Sequence, residues 1–358
     1  MTDPNRRVRV AAAHAASPLL DKNACVDKAC ALIADAAADG ARFLVFPESF
    51  IPGFPMWNAL VRPIDGHEWF VRMARNSLRV DGPEMKTIAD AAARHGVTVS
   101  LGFSELSPVS DGALWNSTVL IGADGRLLNH HRKLVPTFYE KLTWNAGDAA
   151  GLRVVETPIG RIGGLICGEN GNPLSRYMLM AQNEELHAAN YPPVWPFKNP
   201  VGAPPFDLAD AIRTRAAAHA FEAKVFVVVS AGFLDDAGYE VLAEGDAERE
   251  AILRASPRST SMIVTPSGEV LGTPLTDEEG LVVADVDLGS LLELKQHHDM
   301  AGYYNRMDIY RLQVDRRRPQ PVYFDGADSL AGETDDDAGA IEAARMGGPE
   351  LAMVGTDG

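Results

Sequence analysis

A single cysteine, Cys167, closes the run Arg161-Ile-Gly-Gly-Leu-Ile-Cys167-Gly168-Glu169, where an apolar, glycine-containing segment delivers a thiol into a sharp turn. Upstream, Phe43-Leu-Val-Phe-Pro47-Glu48 ends another apolar segment on a carboxylate. Between the two lies a basic stretch, His130-His-Arg-Lys133-Leu-Val-Pro136-Thr-Phe-Tyr-Glu140. A thiol becomes a nucleophile when a base takes its proton, and the negative charge it creates on a substrate needs a cation nearby. Glu48, half-desolvated at a strand end, is the candidate base. Lys133 is the candidate cation, and the backbone N–H of Gly168 is its partner donor. Taken alone, Cys167 reads as a buried structural thiol, because free cysteine is among the most buried residue types. The company it keeps makes it a nucleophile. Cys25 and Cys30 fall inside a helical pattern and read as core or surface thiols.

Other chemistries lack their patterns. No Gly-x-Ser-x-Gly nucleophile elbow occurs, and no Gly-x-Gly-x-x-Gly or Walker sequence, so no nucleotide is implied. The histidine pairs His130-His131 and His297-His298 make poor chelates, since neighbouring side chains on a strand point to opposite faces. No metal and no cofactor are expected.

The elements that must position these residues alternate between strand and helix. Strand patterns cover Val8–Ala13, Arg42–Phe46, Thr98–Phe103 and Val225–Ser230, and helix patterns cover Asp21–Asp39, Pro83–His95, Asn172–Asn183 and Ala209–Lys224. Three hairpins are predicted: Trp115–Ile121 with Arg126–His131, Arg153–Thr157 with Arg161–Ile166, and Met262–Thr265 with Gly280–Val286. His187 is placed in a polar helix end and reads as a satisfied, partly buried histidine. Such an alternation implies mixed sheets covered by helices. The loop Pro192–Pro205 carries six prolines and is too long to be only a connector.

Composition limits the partners. The chain has 358 residues, is 46% hydrophobic, and carries a net charge of −16, which argues against nucleic acid. Half of that charge lies between Asp325 and Gly358, where nine acidic residues face one arginine, Arg345; a disordered, solubilising tail is expected there. No apolar run approaches the roughly 20 residues that span a bilayer, and the first residues lack a signal-peptide pattern. Three cysteines make no disulfide framework, so a cytoplasmic location with no membrane partner is expected.

The same residues resemble the nitrilase, or carbon–nitrogen hydrolase, superfamily, whose catalytic set is Glu-Lys-Cys in that chain order. The matches are Phe46-Pro-Glu48, His131-Arg-Lys133-Leu and Cys167 after a Gly-Gly strand. Lys133-Leu-Val-Pro-Thr with Glu140 and Trp144-Asn-Ala-Gly-Asp148, then Asn172-Pro-Leu-Ser-Arg176, His187-Ala-Ala-Asn-Tyr-Pro192 and Asp299-Met-Ala-Gly302 to Asp308, bring it closest to the nitrilase branch. The resemblance implies an α/β fold, a four-layer αββα sandwich over residues 1–295, followed by an arm at 296–324 and the acidic tail at 325–358. It implies Glu140 as a second glutamate that positions the lysine and the catalytic water. It also implies a substrate pocket near Gly168, Glu169, Trp57, Tyr139, Trp144 and Tyr191. Nitrilases usually carry tryptophan directly after the cysteine; Gly168 here widens that wall. The implied substrate is a small organic nitrile, converted to acid and ammonia, with an amidase on the same machinery as the alternative. The implied assembly is a homodimer or larger homo-oligomer.

Overall fold

In the computed structural model, which describes residues 6–197, 200–320 and 322, strands and helices succeed one another along the chain. They are β1 (Arg7–Ala16), α1 (Lys22–Ala38), β2 (Phe43–Val45), α2 (His67–Asn76), α3 (Pro83–His95), β3 (Thr98–Leu106), β4 (Leu114–Ile121) and β5 (Leu127–Arg132). Then come β6 (Val155–Thr157), β7 (Gly160–Ile166), α4 (Pro173–Met180), β8 (Leu186–Tyr191), α5 (Leu208–Ala223) and β9 (Phe226–Phe233). Last are α6 (Asp236–Ala243), α7 (Ala247–Arg254), β10 (Ser261–Val264), β11 (Val270–Leu275), β12 (Gly280–Asp287) and α8 (Leu291–His297). The chain divides into two units, residues 1–318 and 319–358. The expected acidic tail lies outside the described residues.

The strands form two six-stranded halves. One runs β12-β1-β2-β3-β4-β5, the other β6-β7-β8-β9-β10-β11. They join where Ala15 and Ala16 pair with Gly232 and Phe233. Period-two alternation sorts the side chains. Val8, Val10 and Ala12 of β1 and Phe43 and Val45 of β2 meet Leu186, Ala188, Phe226 and Val228 of the other half, forming the core between the sheets. The alternate residues, Ala11, Ala13, Ala15 and Leu44, face Cys25, Ala29 and Ile33 of α1 and Ile88 and Ala92 of α3. On the far side, Val227 and Val229 of β9 pack under Ile212, Ala216 and Ala220 of α5. The layers are therefore helix, sheet, sheet, helix. Local signals start and stop the helices: the Asp21 side chain accepts from the Ala24 amide at the head of α1, and Gly96, at φ +67°, ends α3.

Some expectations change. The last predicted hairpin is instead β10 with β11, while β12 crosses to the first sheet and pairs antiparallel with β1 from Arg7↔Asp287 to His14↔Gly280. Gly272 and Pro274 in β11 hid that strand from pattern reading. The stretch with His187 is the buried parallel strand β8 and not a helix end. The helix after the cysteine is shorter than Asn172–Asn183, ending at Met180. Among the described residues no helix is long and apolar enough to cross a membrane.

Candidate active site

Glu48, Lys133 and Cys167 each follow the C-terminal end of a strand, β2, β5 and β7 respectively. Pairing is parallel from β2 to β3 and antiparallel from β3 to β4 and β4 to β5, so β2 and β5 point the same way. Glu48 and Lys133 thus leave one end of the first sheet, and Cys167 meets them from the second.

The turn carrying Glu48 lies flat on β3. A Cβ on Gly102 would stand 2.2 Å from the Pro47 carbonyl oxygen and 2.8 Å from the Ser49 nitrogen, so that position needs glycine. From the other sheet, the Asn190 amide donates to the Phe46 carbonyl (2.6 Å), and the Glu48 N–H donates to the Tyr191 carbonyl (3.2 Å). Asn116 of β4 aligns base and lysine together: its Nδ2 donates to Glu48 Oε1 (2.8 Å), and its carbonyl accepts from the Lys133 N–H (2.8 Å).

The Lys133 ammonium, 1% exposed, is the centre of the site. It donates to Glu48 Oε1 at 2.7 Å and to both oxygens of Glu140 at 2.9 and 2.7 Å. Burial works against its charge, but Glu140 and then Glu48 overcome that and hold it protonated well above the ordinary lysine range. Burial, with Glu48 adding to it and Lys133 opposing, pushes Glu140 up to about 7. Burial and then Glu48 raise the Cys167 thiol well above its usual range, so the resting sulfur is a thiol and needs a base. Ligand atoms of Glu48, Glu140 and Cys167 lie within 4.8 Å of one another. Glu48 Oε2 is buried and takes no hydrogen bond among the described residues, which leaves a carboxylate oxygen ready to accept a proton.

The loops bearing these groups are strained. Ser49, Phe138 and Cys167 are non-glycine residues at φ +47°, +46° and +51°. Such positions cost on the order of 1–3 kcal/mol each and persist where surroundings over-determine them. At Cys167 the surroundings include Glu169. Its Oε1 accepts from the Leu134 N–H (2.7 Å), and its Oε2 from the Ile166 N–H and His131 Nε2 (both 2.9 Å). Sequence reasoning grouped Glu169 with the substrate contacts. Geometry corrects this: both oxygens are spent tying the lysine loop to the nucleophile strand.

The remaining predicted pocket residues divide. Trp57 stacks on Trp69 at 5.2 Å, and Trp144 donates Nε1 to Ser104 Oγ (3.0 Å) while meeting Phe54 edge-on, so packing occupies both rings. Tyr139 stacks on Trp195 at 4.5 Å. The hydroxyls of Tyr139 and Tyr191 are buried and without a partner among the described residues. Burial raises both phenols, and Cys167 and Glu48 beside them raise them further, as does Glu140 for Tyr139. Gly168 is exposed, and a Cβ there would meet only Thr137 Oγ1, at 3.3 Å. Glycine at this position leaves open space beside the thiol.

The pair His130-His131 diverges as expected of neighbours on a strand: His130 bonds Glu105 (2.8 Å) and His131 bonds Glu169; His297-His298 instead lies at the end of α8. A second buried group of possible metal ligands, Glu184, His187 and His219, is closed by its own hydrogen bonds of 2.7 and 2.8 Å. Sequence reasoning missed Asn116, Asn170 and Glu184; Asn116, a polar residue inside the strand Leu114–Ile121, left a local signal, whereas Asn170 and Glu184 lie in polar turns. It also missed Arg318 of the arm, which bonds Asp148 Oδ2 (3.0 Å), His130 Nδ1 (2.9 Å) and the His130 carbonyl (3.2 Å), bracing the strand that presents Lys133.

Comparison with known proteins identifies relatives of this chain. The carbon–nitrogen hydrolase family profile matches residues 9–296. A nitrilase of Paraburkholderia phymatum is 35% identical over 317 residues, covering 88% of this chain and 89% of that protein. An arylacetonitrilase of Hypocrea virens is 35% identical over 333 residues, covering 90% and 97%. The crystal structure of a carbon–nitrogen hydrolase from Helicobacter pylori superposes with a TM-score of 0.63 at 17% identity, covering 85% of this chain and 97% of that one.

Proposed function

Because the chain belongs to the carbon–nitrogen hydrolase family, a group of hydrolases acting on carbon–nitrogen bonds, we propose that it is a nitrilase, converting an organic nitrile and two waters to a carboxylic acid and ammonia. The observation that carries this reading is the buried Lys133 ammonium bridging Glu48 and Glu140 beside the Cys167 thiol. The nitrilase names of the relatives support it.

Glu48 Oε2 takes the thiol proton, the sulfur attacks the nitrile carbon, and Glu48 passes that proton to the nitrogen, giving a thioimidate and an ionised Glu48. Lys133 and the Gly168 N–H stabilise the charge on nitrogen. Glu48 then moves a proton from a water, which adds to the thioimidate carbon, to the nitrogen; as the C–N bond breaks and the carbonyl forms, the new hydroxyl's proton goes to nitrogen as well, and ammonia leaves. A thioester remains. A second water, activated the same way, releases the acid and returns the proton to Cys167. Glu140 holds the lysine in place and orients the water. If sulfur leaves the first adduct in place of ammonia, the product is an amide. Tyr139, Trp195 and Phe54 form an aromatic cluster next to Glu140, a setting that favours an apolar or aryl-bearing nitrile. Ammonia release from a panel of aryl and aliphatic nitriles, each with its matching amide, tests the reading. Turnover of nitriles is expected; hydrolysis of the amides alone would replace it with an amidase.

Activity should rise with pH through neutrality. Glu140 grips Lys133 only when ionised, and its raised value near 7 puts that ionisation in the assay range. That ionisation sets the rising limb of the profile. In kcat/KM profiles, Glu140→Gln is expected to move it; an unchanged limb would remove Glu140 from this role.

The three free thiols are in keeping with a reducing, cytoplasmic location. For assembly, the reading is at least a dimer. Leu174, Phe221, Tyr303, Tyr304 and Tyr310 leave large apolar surface exposed around α4, α5 and the arm. Light scattering is expected to give a mass at least twice 38.5 kDa. A fully active, monodisperse monomer would contradict it.

A further inference from the structure

The strained turn at Cys167 is held on its other side by a chain of buried polar groups that the reaction itself does not use. Asn170 Nδ2 donates to the Leu165 carbonyl (3.0 Å) and to the Cys167 carbonyl (3.1 Å). Two carbonyls can face only the NH2 end of the amide, so Asn170 Oδ1 is the end turned to His187 Nε2, 2.8 Å away. That nitrogen must therefore carry a proton. The other ring nitrogen, Nδ1, lies 2.8 Å from Glu184 Oε1, and Glu184 Oε2 accepts from His219 Nε2 at 2.7 Å. Glu184, His187 and His219 are buried, at 1% exposure or less. His187 and His219 hold the Glu184 carboxyl down at about 2 against the cost of burial, so it accepts at both oxygens. His219 is pushed down to about 4 by burial and then by His187, and its Nδ1 has no partner among the described residues; it is the neutral member.

The backbone makes room for this arrangement. Gly163 of β7 is paired with His187 of β8, and a Cβ on it would lie 2.1 Å from Glu184 Oε1. One glycine of the Gly-Gly strand is there because the Glu184 carboxylate occupies its side-chain space.

We propose that Glu184, His187 and Asn170 form a positioning relay, with the His187 Nε2 proton given to Asn170 Oδ1 and a second proton held between His187 Nδ1 and Glu184 Oε1, that grips the Cys167 carbonyl and fixes the direction of the thiol. Glu169 holds the same turn from the lysine side, so the nucleophile is clamped between the two sheets' supports. None of the three relay residues touches the substrate in the reaction proposed above, and their catalytic effect rests on that reading.

Two measurements test the relay. Nitrogen NMR of the imidazoles in the wild-type protein is expected to show the His187 Nε2 nitrogen carrying a proton. A ring with Nε2 bare would overturn the assignment. This spectrum needs neither a substrate nor a variant, so its failure is separate from failure of the nitrilase reading. Kinetically, Asn170→Ala and His187→Gln are each expected to lower kcat by about 10- to 100-fold, the scale of a small misplacement of a reacting group, with KM near wild type. The double variant should be no worse than the more damaging single, because residues of one relay do not add. Independent, multiplying losses, or changes confined to KM, would overturn it.

Discussion

Cys167→Ala is expected to abolish turnover while leaving the fold intact. The alanine fits the backbone at φ +51° no worse than cysteine does, since the strain there comes from having a Cβ at all. The turn keeps its ties from Asn170 and Glu169, which bond backbone and not sulfur. What disappears is the only atom able to form the thioimidate and the thioester. Cys167→Ser should fail too, because a hydroxyl is far less acidic than a thiol of pKa about 8.5. The check is ammonia release alongside circular dichroism and thermal unfolding. Substantial activity in a folded alanine variant would remove Cys167 from the mechanism. Cys25 cannot take over: it is fully buried in α1, with its sulfur donating to the Pro18 carbonyl at 3.1 Å.

Lys133→Ala should lower kcat by about 10²–10³, the cost of losing one donor to developing charge. The structural reason is sharper than the general one. The ammonium satisfies three carboxylate oxygens in a buried site. Without it, Glu48 and Glu140 face each other uncompensated, and breaking such a buried pair costs about 3–5 kcal/mol in stability. Kinetics must therefore be read well below the variant's own unfolding temperature. Glu48→Gln keeps the shape and the contact with Lys133 but removes the base, and should lose at least as much in kcat. Either variant at near wild-type kcat would mean that the Glu-Lys-Cys arrangement is not the catalytic one.

Why were these three residues legible in the sequence when their supports were not? Glu48 and Cys167 end apolar strands, and an ionisable group in that place is an exposed local signal; Lys133 follows the polar strand Leu127–Arg132, reads alone as a surface lysine, and was picked out by the family motif. Glu140 needed the family resemblance, because seven residues of loop separate it from Lys133. Asn116 meets Glu48 across 68 residues and Glu184 meets His219 across 35, and no local pattern encodes such distances. His187 misled because a strand buried on both faces shows no alternation; Leu186–Tyr191 holds a histidine and an asparagine that only their partners, Glu184 and Asn170 for His187 and Phe46 for Asn190, make acceptable. The layers were legible from alternating elements, but the crossing of β12 to β1 was not. Leu281 and Val283 pack on one side of that strand and Val282 and Val286 on the other, so either sheet could have taken it by pattern alone. Trp57 and Trp144 were read as pocket walls because aromatics near a site suggest a ligand, yet stacking and a hydrogen bond to Ser104 claim them for the loops.

The central claim is a covalent intermediate on one sulfur, and mass spectrometry of the protein quenched during turnover of a nitrile tests it most directly. The account predicts that the peptide containing Cys167 carries the mass of the substrate's acyl or imidoyl group, and that the Cys25 and Cys30 peptides remain unmodified. Turnover without any adduct on Cys167, or an adduct on one of the other two thiols, would contradict it.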